Sequence, residues 1–302
     1  MKKLLRYICS GIFAGTLLLG NMAFAASAQV ERVTSDSPDY AELTVLTDRI
    51  LNDINGLREY NDSGLYSDVT AEDIDWSQAY KIYVDESDIY ASYAKQTMTY
   101  DQIQKSMSYY VWMLPVQADD AHLSITISKG LPLAENDPAR EVLTEEEIRQ
   151  VEADAGHWRP VETEELDYDK TAAWYEQKMA DAYDGTVQRA FLMGGSPKMR
   201  SAVAVMETAD GSIQIVPLEQ PRLVGTLPKT RAHAEQPQAE TVYSMKEMAA
   251  MLQPYVLDSD SELTGTGGAD DAPQQGNPWV LLGVLCAGTF AMLCAGIWGK
   301  RA

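Results

Sequence analysis

The chain has 302 residues, with 45 acidic and 24 basic side chains and a formal net charge of −21 at pH 7. This charge argues against nucleic acid and anionic lipid as partners, because both would be repelled. Its three cysteines are Cys9, Cys286 and Cys294, so the long region between them is predicted to lack disulfides, thiol nucleophiles and thiolate metal sites.

Residues 1–28 predict a secretory signal peptide. Lys2, Lys3 and Arg6 form a basic start, an apolar stretch follows, and small residues allow cleavage after Ala25 or Ala28. The mature chain is therefore expected outside the cytoplasm, beginning with a flexible N-terminus at 29–38.

Residues 39–218 predict a single α+β extracellular domain with a mainly antiparallel sheet. Its first helix carries one apolar stripe at helical spacing, formed by Leu43, Leu46, Ile50, Ile54 and Leu57. "QAYKIYV" has the alternation of a strand, and "YYVWMLPVQ" and "HLSITISKG" predict a hairpin. Pro115 places its strand at a sheet edge or marks a bulge, because proline cannot donate to the ladder.

The second half of the domain predicts two capped helices and a meander. The helices are "TEEEIRQVEADAG", ending at Gly156, and "DYDKTAAWYEQKMADAYDG", in which Trp174 faces a core. Three strands follow, "TVQRAFLM", "RSAVAVMET" and "SIQIVPL", and Asp210 with Gly211 forms the strongest turn signal of the chain.

Residues 219–277 predict an acidic stalk rich in proline and glycine. One short helix interrupts it at 244–253, where Ser244 and Glu247 have capping-box spacing. Its apolar face predicts that it docks on the main domain or lies on the membrane.

The stretch 278–299 predicts a transmembrane helix. The run from Trp279 to Trp298 contains no charge, and at 1.5 Å per residue it spans about 30 Å, the thickness of a bilayer core. Lys300 and Arg301 follow in the tail at 300–302, so the C-terminus is expected in the cytoplasm and the N-terminus outside.

The same end of the chain resembles the cell-wall sorting signals of Gram-positive bacteria. "LTGTG" at 263–267 keeps the leucine, threonine and glycine of their pentapeptide, but Thr264 stands where proline belongs. A single-pass protein of the cell membrane is therefore the preferred interpretation, and attachment to the cell wall by sorting at 263–267 is the alternative.

Small residues recur every fourth position along the predicted span, at Gly283, Ala287, Ala291, Ala295 and Gly299. Such a stripe lets two transmembrane helices approach closely. It predicts a homodimer formed through this helix, or docking to a membrane partner.

No complete catalytic motif is found, and no cofactor or metal site is predicted. His122, His157 and His233 form no zinc-binding pair. Ser92 and Lys95 match a Ser-any-any-Lys element, but its companion motifs are missing. Between residues 29 and 277 there are 15 tyrosines and four tryptophans but a single phenylalanine, a composition that suits a binding face or half-exposed strands.

The preferred functional hypothesis is a non-catalytic binding or accessory module at the surface of a Gram-positive-type bacterium, with an envelope protein or glycan as its partner. The alternative is an envelope hydrolase with an unrecognised Ser/His/acidic site. A pocket that joins His122 or His157 with a serine and a carboxylate would favour the hydrolase. A tyrosine-rich exposed sheet face without such a pocket would favour binding.

Overall fold

A single mixed sheet of eight strands organises the fold. The computed structural model describes residues 28–61, 69–119, 121–135, 137–166, 168–194, 196–225 and 236–256. The strands are β1 (Tyr80–Val84), β2 (Tyr109–Ala118), β3 (Ala121–Lys129), β4 (Trp158–Leu166), β5 (Val187–Gly194), β6 (Val203–Thr208), β7 (Ile213–Pro217) and β8 (Tyr243–Ser244). Their order across the sheet is β4-β3-β2-β1-β5-β6-β7-β8.

Every neighbouring pair in this sheet is antiparallel except β1 and β5, which run parallel with Ile82 opposite Leu192. The sheet thus consists of two antiparallel halves that meet at one parallel pair. The predicted hairpin and the predicted meander are both present, one in each half.

Eight α-helices pack around the sheet in the described part of the chain. They are α1 (Tyr40–Thr44), α2 (Thr47–Asn61), α3 (Ile89–Lys95), α4 (Tyr100–Ser106), α5 (Ala139–Val142), α6 (Glu145–Asp154), α7 (Ala172–Ala182) and α8 (Met245–Leu252). Two 3-10 turns, Ala71–Asp73 and Trp76–Gln78, precede β1.

The predicted fold class needs one correction. The α+β architecture with a mainly antiparallel sheet is confirmed, but the transmembrane helix included in that class is not. Within the described ranges, no helix is both long enough and apolar enough to traverse a bilayer. Even α2, with 15 residues, reaches only about 22 Å at the usual helical rise, against a core of about 30 Å. The stretch 278–299 lies outside the described residues.

The predicted first helix is divided into α1 and α2. Its apolar stripe is buried as expected at Leu43, Ile50 and Ile54. The helix is interrupted after Thr44, and the Thr47 hydroxyl donates to the Thr44 carbonyl oxygen at 2.9 Å as the second helix begins. Local periodicity predicted the buried face correctly but not the interruption.

Pro115 was predicted to lie in an edge strand or at a bulge, but its strand β2 is internal and has no bulge. The absence of a proline N–H is nevertheless accommodated by the way β2 pairs. β2 pairs with β1 only through residues 109–113, whereas its pairing with β3 continues to Ala118. From Leu114 onward β2 therefore has no paired strand on the β1 side. A proline at residue 115 removes no hydrogen bond to β1.

One face of the sheet carries two clusters of buried side chains. On the β2–β3–β4 half, α1 and α2 pack against Trp112, Leu114 and Ile125. On the other half, α3, α4 and α8 pack against Phe191 and Val205, together with neighbouring apolar side chains. Of the two alternatives for the short helix after residue 243, docking on the domain is the one observed, since Met248 and Leu252 are fully buried.

The opposite face is covered over its centre by α7. Its buried residues Ala172, Tyr175 and Met179 pack against a row of side chains from four strands: Tyr80, Ile82, Leu192, Ala204, Met206 and Val216. This helix begins beside the groove described next, so its packing on the sheet fixes the position of that groove.

Candidate functional site

An open groove of about 450 Å³ lies at the start of α7, next to the end of β7 and the segment that leads into β8. Three separate parts of the chain form it. Its lining residues are Tyr168, Trp174, Lys178, Leu218, Glu219, Gln220, Ala239 and Glu240.

Tyr168 is the exposed aromatic ring of this groove. Among the exposed large hydrophobic side chains of the described residues it is the only aromatic one, with 42% of its surface accessible. The other aromatic side chains described are buried or half-buried. The aromatic-rich composition therefore serves mainly the core, and the predicted alternative of a broad tyrosine-rich surface is not observed in this part of the chain.

Trp174 holds the Tyr168 ring in place. The two rings are stacked, with centroids 5.4 Å apart and planes inclined by 30°. Trp174 also meets Tyr175 edge-on at 4.8 Å, and Tyr175 meets Tyr80 at 5.5 Å. A continuous chain of four rings thus connects the groove to the centre of the core, and such contacts fix ring positions as well as burying area.

Local sequence signals explain why Trp174 is placed at this point. Thr171 caps α7, and its hydroxyl oxygen accepts a hydrogen bond from the backbone N–H of Trp174 at 3.2 Å. The Tyr80 hydroxyl donates to the Lys170 carbonyl oxygen at 3.0 Å, which ties the segment before the helix to the sheet. The start of α7 is therefore fixed both by its cap and by a bond to β1.

The charged side chains at the groove are paired. Lys170 forms an ion pair with Glu219, and Lys178 forms one with Glu240. The Lys178 ammonium also lies 5.3 Å from the centre of the Trp174 ring, within the range of a cation–π interaction. The rim thus presents hydrogen-bond donors and acceptors side by side, and each of its charged lining residues has a partner of opposite charge.

The backbone of Glu240 is also fixed. Its N–H donates to the Pro217 carbonyl oxygen at 2.7 Å, and its φ of 56° lies in the left-handed region. A non-glycine residue in this region is uncommon and persists where its surroundings hold it. Both sides of the groove are therefore built on constrained backbone.

The phenols behind the groove stay neutral at ordinary pH. Burial raises the pKa of Tyr175 well above its usual value, and the neighbouring Tyr80 ring adds to the shift. Burial likewise raises the pKa of Tyr80. Neither hydroxyl is suited to act as a base or nucleophile near neutrality.

The sequence candidates for catalysis occur elsewhere. His122 and Ser124 share one face of β3, and Ser124 lies opposite Glu164 of β4. However, Ser124 is buried, and the His122 Nδ1 atom is buried without a hydrogen-bond partner. No hydrogen bond joins these three side chains. His157 is exposed at the start of β4, and His233 lies outside the described residues.

Ser92 borders a second open groove of about 450 Å³ between α3 and α4. The lysine that lines this groove is Lys105, whereas Lys95 of the Ser-any-any-Lys element is not part of the lining. Across the described ranges, no group of three or more His, Cys, Asp or Glu side chains is arranged to hold a metal ion. The small-residue stripe at Gly283, Ala287, Ala291, Ala295 and Gly299 lies outside those ranges.

Only part of the groove is indicated by the sequence alone. Trp174 was expected to face a core, and it is half-buried between Tyr168 and Tyr175. The available signal was an aromatic residue in the polar run "DYDKT", directly before a helix cap. No family model, curated protein or solved structure matches this chain. The geometry of the groove is therefore the basis for the functional conclusion.

Proposed function

We propose that this chain is an extracytoplasmic binding or accessory module of a Gram-positive-type cell envelope, and that the groove beside Tyr168 is its ligand site. The observation that carries this proposal is the exposed Tyr168 ring, which is stacked on Trp174 at the edge of an open groove. Aromatic side chains beside a concave surface, with a few polar groups around them, are common in binding sites.

The rigidity of the groove favours binding energetically. Ordering a flexible side chain on association costs about 0.5–1.5 kcal/mol. Tyr168 avoids most of that cost because Trp174 already holds its ring, and Trp174 is in turn held by Tyr175. Aromatic side chains also supply a large contact area with few rotatable bonds.

The chemistry of the groove supports binding over catalysis. Its charged lining residues, Lys178, Glu219 and Glu240, are engaged in ion pairs, and the phenols behind it are held neutral by burial. Hydrolysis by a nucleophile and a base would need such groups free and facing one another. The predicted signal peptide and the thiol-free, acidic body support a location outside the cytoplasm.

The test is retention of the purified full-length protein on washed cell envelopes. We expect the wild-type protein to sediment with the envelopes and Tyr168→Ala to bind at least tenfold more weakly, because the substitution removes the exposed ring. A tenfold change corresponds to about 1.4 kcal/mol. The control is Val142→Ala on α5, which alters a side chain that is 79% exposed and outside the groove.

Equal retention of Tyr168→Ala and the wild-type protein would reject the groove as the ligand site. Absence of retention for the wild-type protein would reject the envelope-binding function itself.

A further inference from the structure

The geometry of the groove points to a ligand class, and we propose that it binds a neutral pyranose glycan, with one sugar ring stacked on Tyr168. This inference rests on the proposed function and makes it more specific. Four features of the groove support it: its exposed aromatic ring, its mixed polar rim, its charge and the occupied edge of β7 beside it.

The exposed ring matches the apolar face of a sugar. A pyranose presents a flat patch of C–H groups whose hydrogens carry a partial positive charge, and an aromatic ring is negative on its face. Tyr168 offers its ring in a fixed orientation, supported from behind by Trp174.

The rim matches the edge of a sugar. Hydroxyl groups both donate and accept hydrogen bonds, so they are best met by donors and acceptors side by side. Gln220 provides both in one exposed side chain. Glu219 and Glu240 add acceptors, and Lys178 adds donors.

The charge of the groove and of the chain indicates a neutral ligand. Lys178, the lysine that lines the groove, is paired with Glu240, and the nearby Lys170 is paired with Glu219, so neither ammonium is an unpaired charge that would favour an anionic ligand. The whole chain carries a net charge of −21, which repels polyanionic polymers. Of the polymers in an envelope, the neutral glycans meet no such electrostatic barrier.

The groove offers little to a peptide. Peptides that add a strand to a sheet need a free edge, but the edge of β7, the strand that ends at the groove, is already paired with β8 at Gln214 and Ile215. In the segment before β8, the backbone N–H of Glu240 donates a hydrogen bond to the Pro217 carbonyl oxygen, which is then not free to pair with a peptide. Leu218 is only 1% exposed, so it offers little apolar surface to a peptide side chain.

The test compares retention on washed envelopes after three treatments. Periodate cleaves the vicinal diols of pyranose rings, protease removes protein ligands, and 1 M NaCl screens ionic contacts. We expect retention of the full-length protein to fall at least tenfold after periodate and to persist after protease and in 1 M NaCl. Tyr168→Phe should bind as the wild-type protein does, because stacking needs the ring and not the hydroxyl.

Each other outcome overturns the neutral-glycan inference. Loss after protease with persistence after periodate would identify a protein ligand, and loss in 1 M NaCl would identify a charged one. Persistence through all three treatments would exclude a protein and every glycan with vicinal hydroxyl groups, and so would overturn the inference for all pyranoses that periodate can open. In each of these cases the proposed binding function still stands if Tyr168→Ala reduces retention, so the two proposals fail separately.

Discussion

At the scale of single residues, Asp85 is a carboxylate buried completely at the end of β1. It accepts hydrogen bonds from the backbone N–H groups of Ile89 at 2.8 Å and Ser87 at 3.1 Å. Burial raises its pKa to about 6, although these bonds act in the opposite direction. The side chain thus organises the turn into α3 at a cost in solvation.

The raised pKa makes a prediction about pH. The folded protein holds the Asp85 proton more tightly than the unfolded chain does, in which the pKa is near 3.8. Protonation of Asp85 therefore stabilises the folded state. This stabilisation is complete below about pH 4 and is lost as the pH rises through about 6. The difference between the two values corresponds to about 3 kcal/mol.

The quantity to compare is the free energy of unfolding of the wild-type protein minus that of Asp85→Asn. We expect this difference to rise by about 2–3 kcal/mol when the pH is lowered from 7 to 4. Urea denaturation at several pH values measures this difference. Asp36→Asn, at an exposed position, controls for the loss of one surface charge. A difference that does not vary with pH would contradict the assignment.

At the scale of elements, local sequence signals predicted structure well wherever the interaction lies within four residues. The capping boxes of Thr99 with Gln102, Thr144 with Glu147 and Ser244 with Glu247 all form as their spacing requires. The interruption between α1 and α2 and the parallel pairing of β1 with β5 were not predictable. The pairing of β1 with β5 brings together segments far apart in the chain, which periodicity does not encode.

Two glycines in different elements give a matched prediction. A Cβ atom on Gly130 would lie 2.1 Å from the Asp154 carbonyl oxygen, whereas one on Gly56 would meet nothing within 4 Å. Gly56 is exposed inside α2, where alanine is a better helix former by about 0.5–1 kcal/mol. A side chain at Gly130, the residue directly after β3, would force the backbone there away from the end of α6 at Asp154.

We expect Gly56→Ala to raise the free energy of unfolding by about 0.5–1 kcal/mol and Gly130→Ala to lower it by about 2 kcal/mol or more. Thermal and urea unfolding of the two variants provide the measurement, and each variant serves as the control for the other. A Gly130→Ala protein as stable as the wild type would show that the close approach of β3 and α6 is not a constraint.

At the scale of the whole molecule, the two halves of the sheet are joined by more than the β1–β5 pair. α7 packs on strands from both halves. On the other face, the Tyr83 ring of β1 meets the Phe191 ring of β5 edge-on, with the ring centroids 5.3 Å apart. These contacts hold the two antiparallel halves in one body and fix the groove at the start of α7.

The groove itself could be predicted only in part from the sequence. The abundance of tyrosine and the position of Trp174 indicated aromatic contacts. The groove, however, combines residues near 170, 219 and 240, and their approach follows from the sheet order and the docking of the segment before β8. The sequence candidates His122 and Ser124 share a strand face but form no site in the described part of the chain.

The central claim is that Tyr168 contacts the envelope ligand directly. Hydroxyl-radical footprinting of the full-length protein, free and bound to washed envelopes, tests this claim without any amino-acid substitution. We predict that binding lowers the oxidation rate of Tyr168 and Trp174 at least threefold, while the rate at Val142 on α5 stays unchanged. Retention on the envelopes with an unaltered rate at Tyr168 would contradict the account.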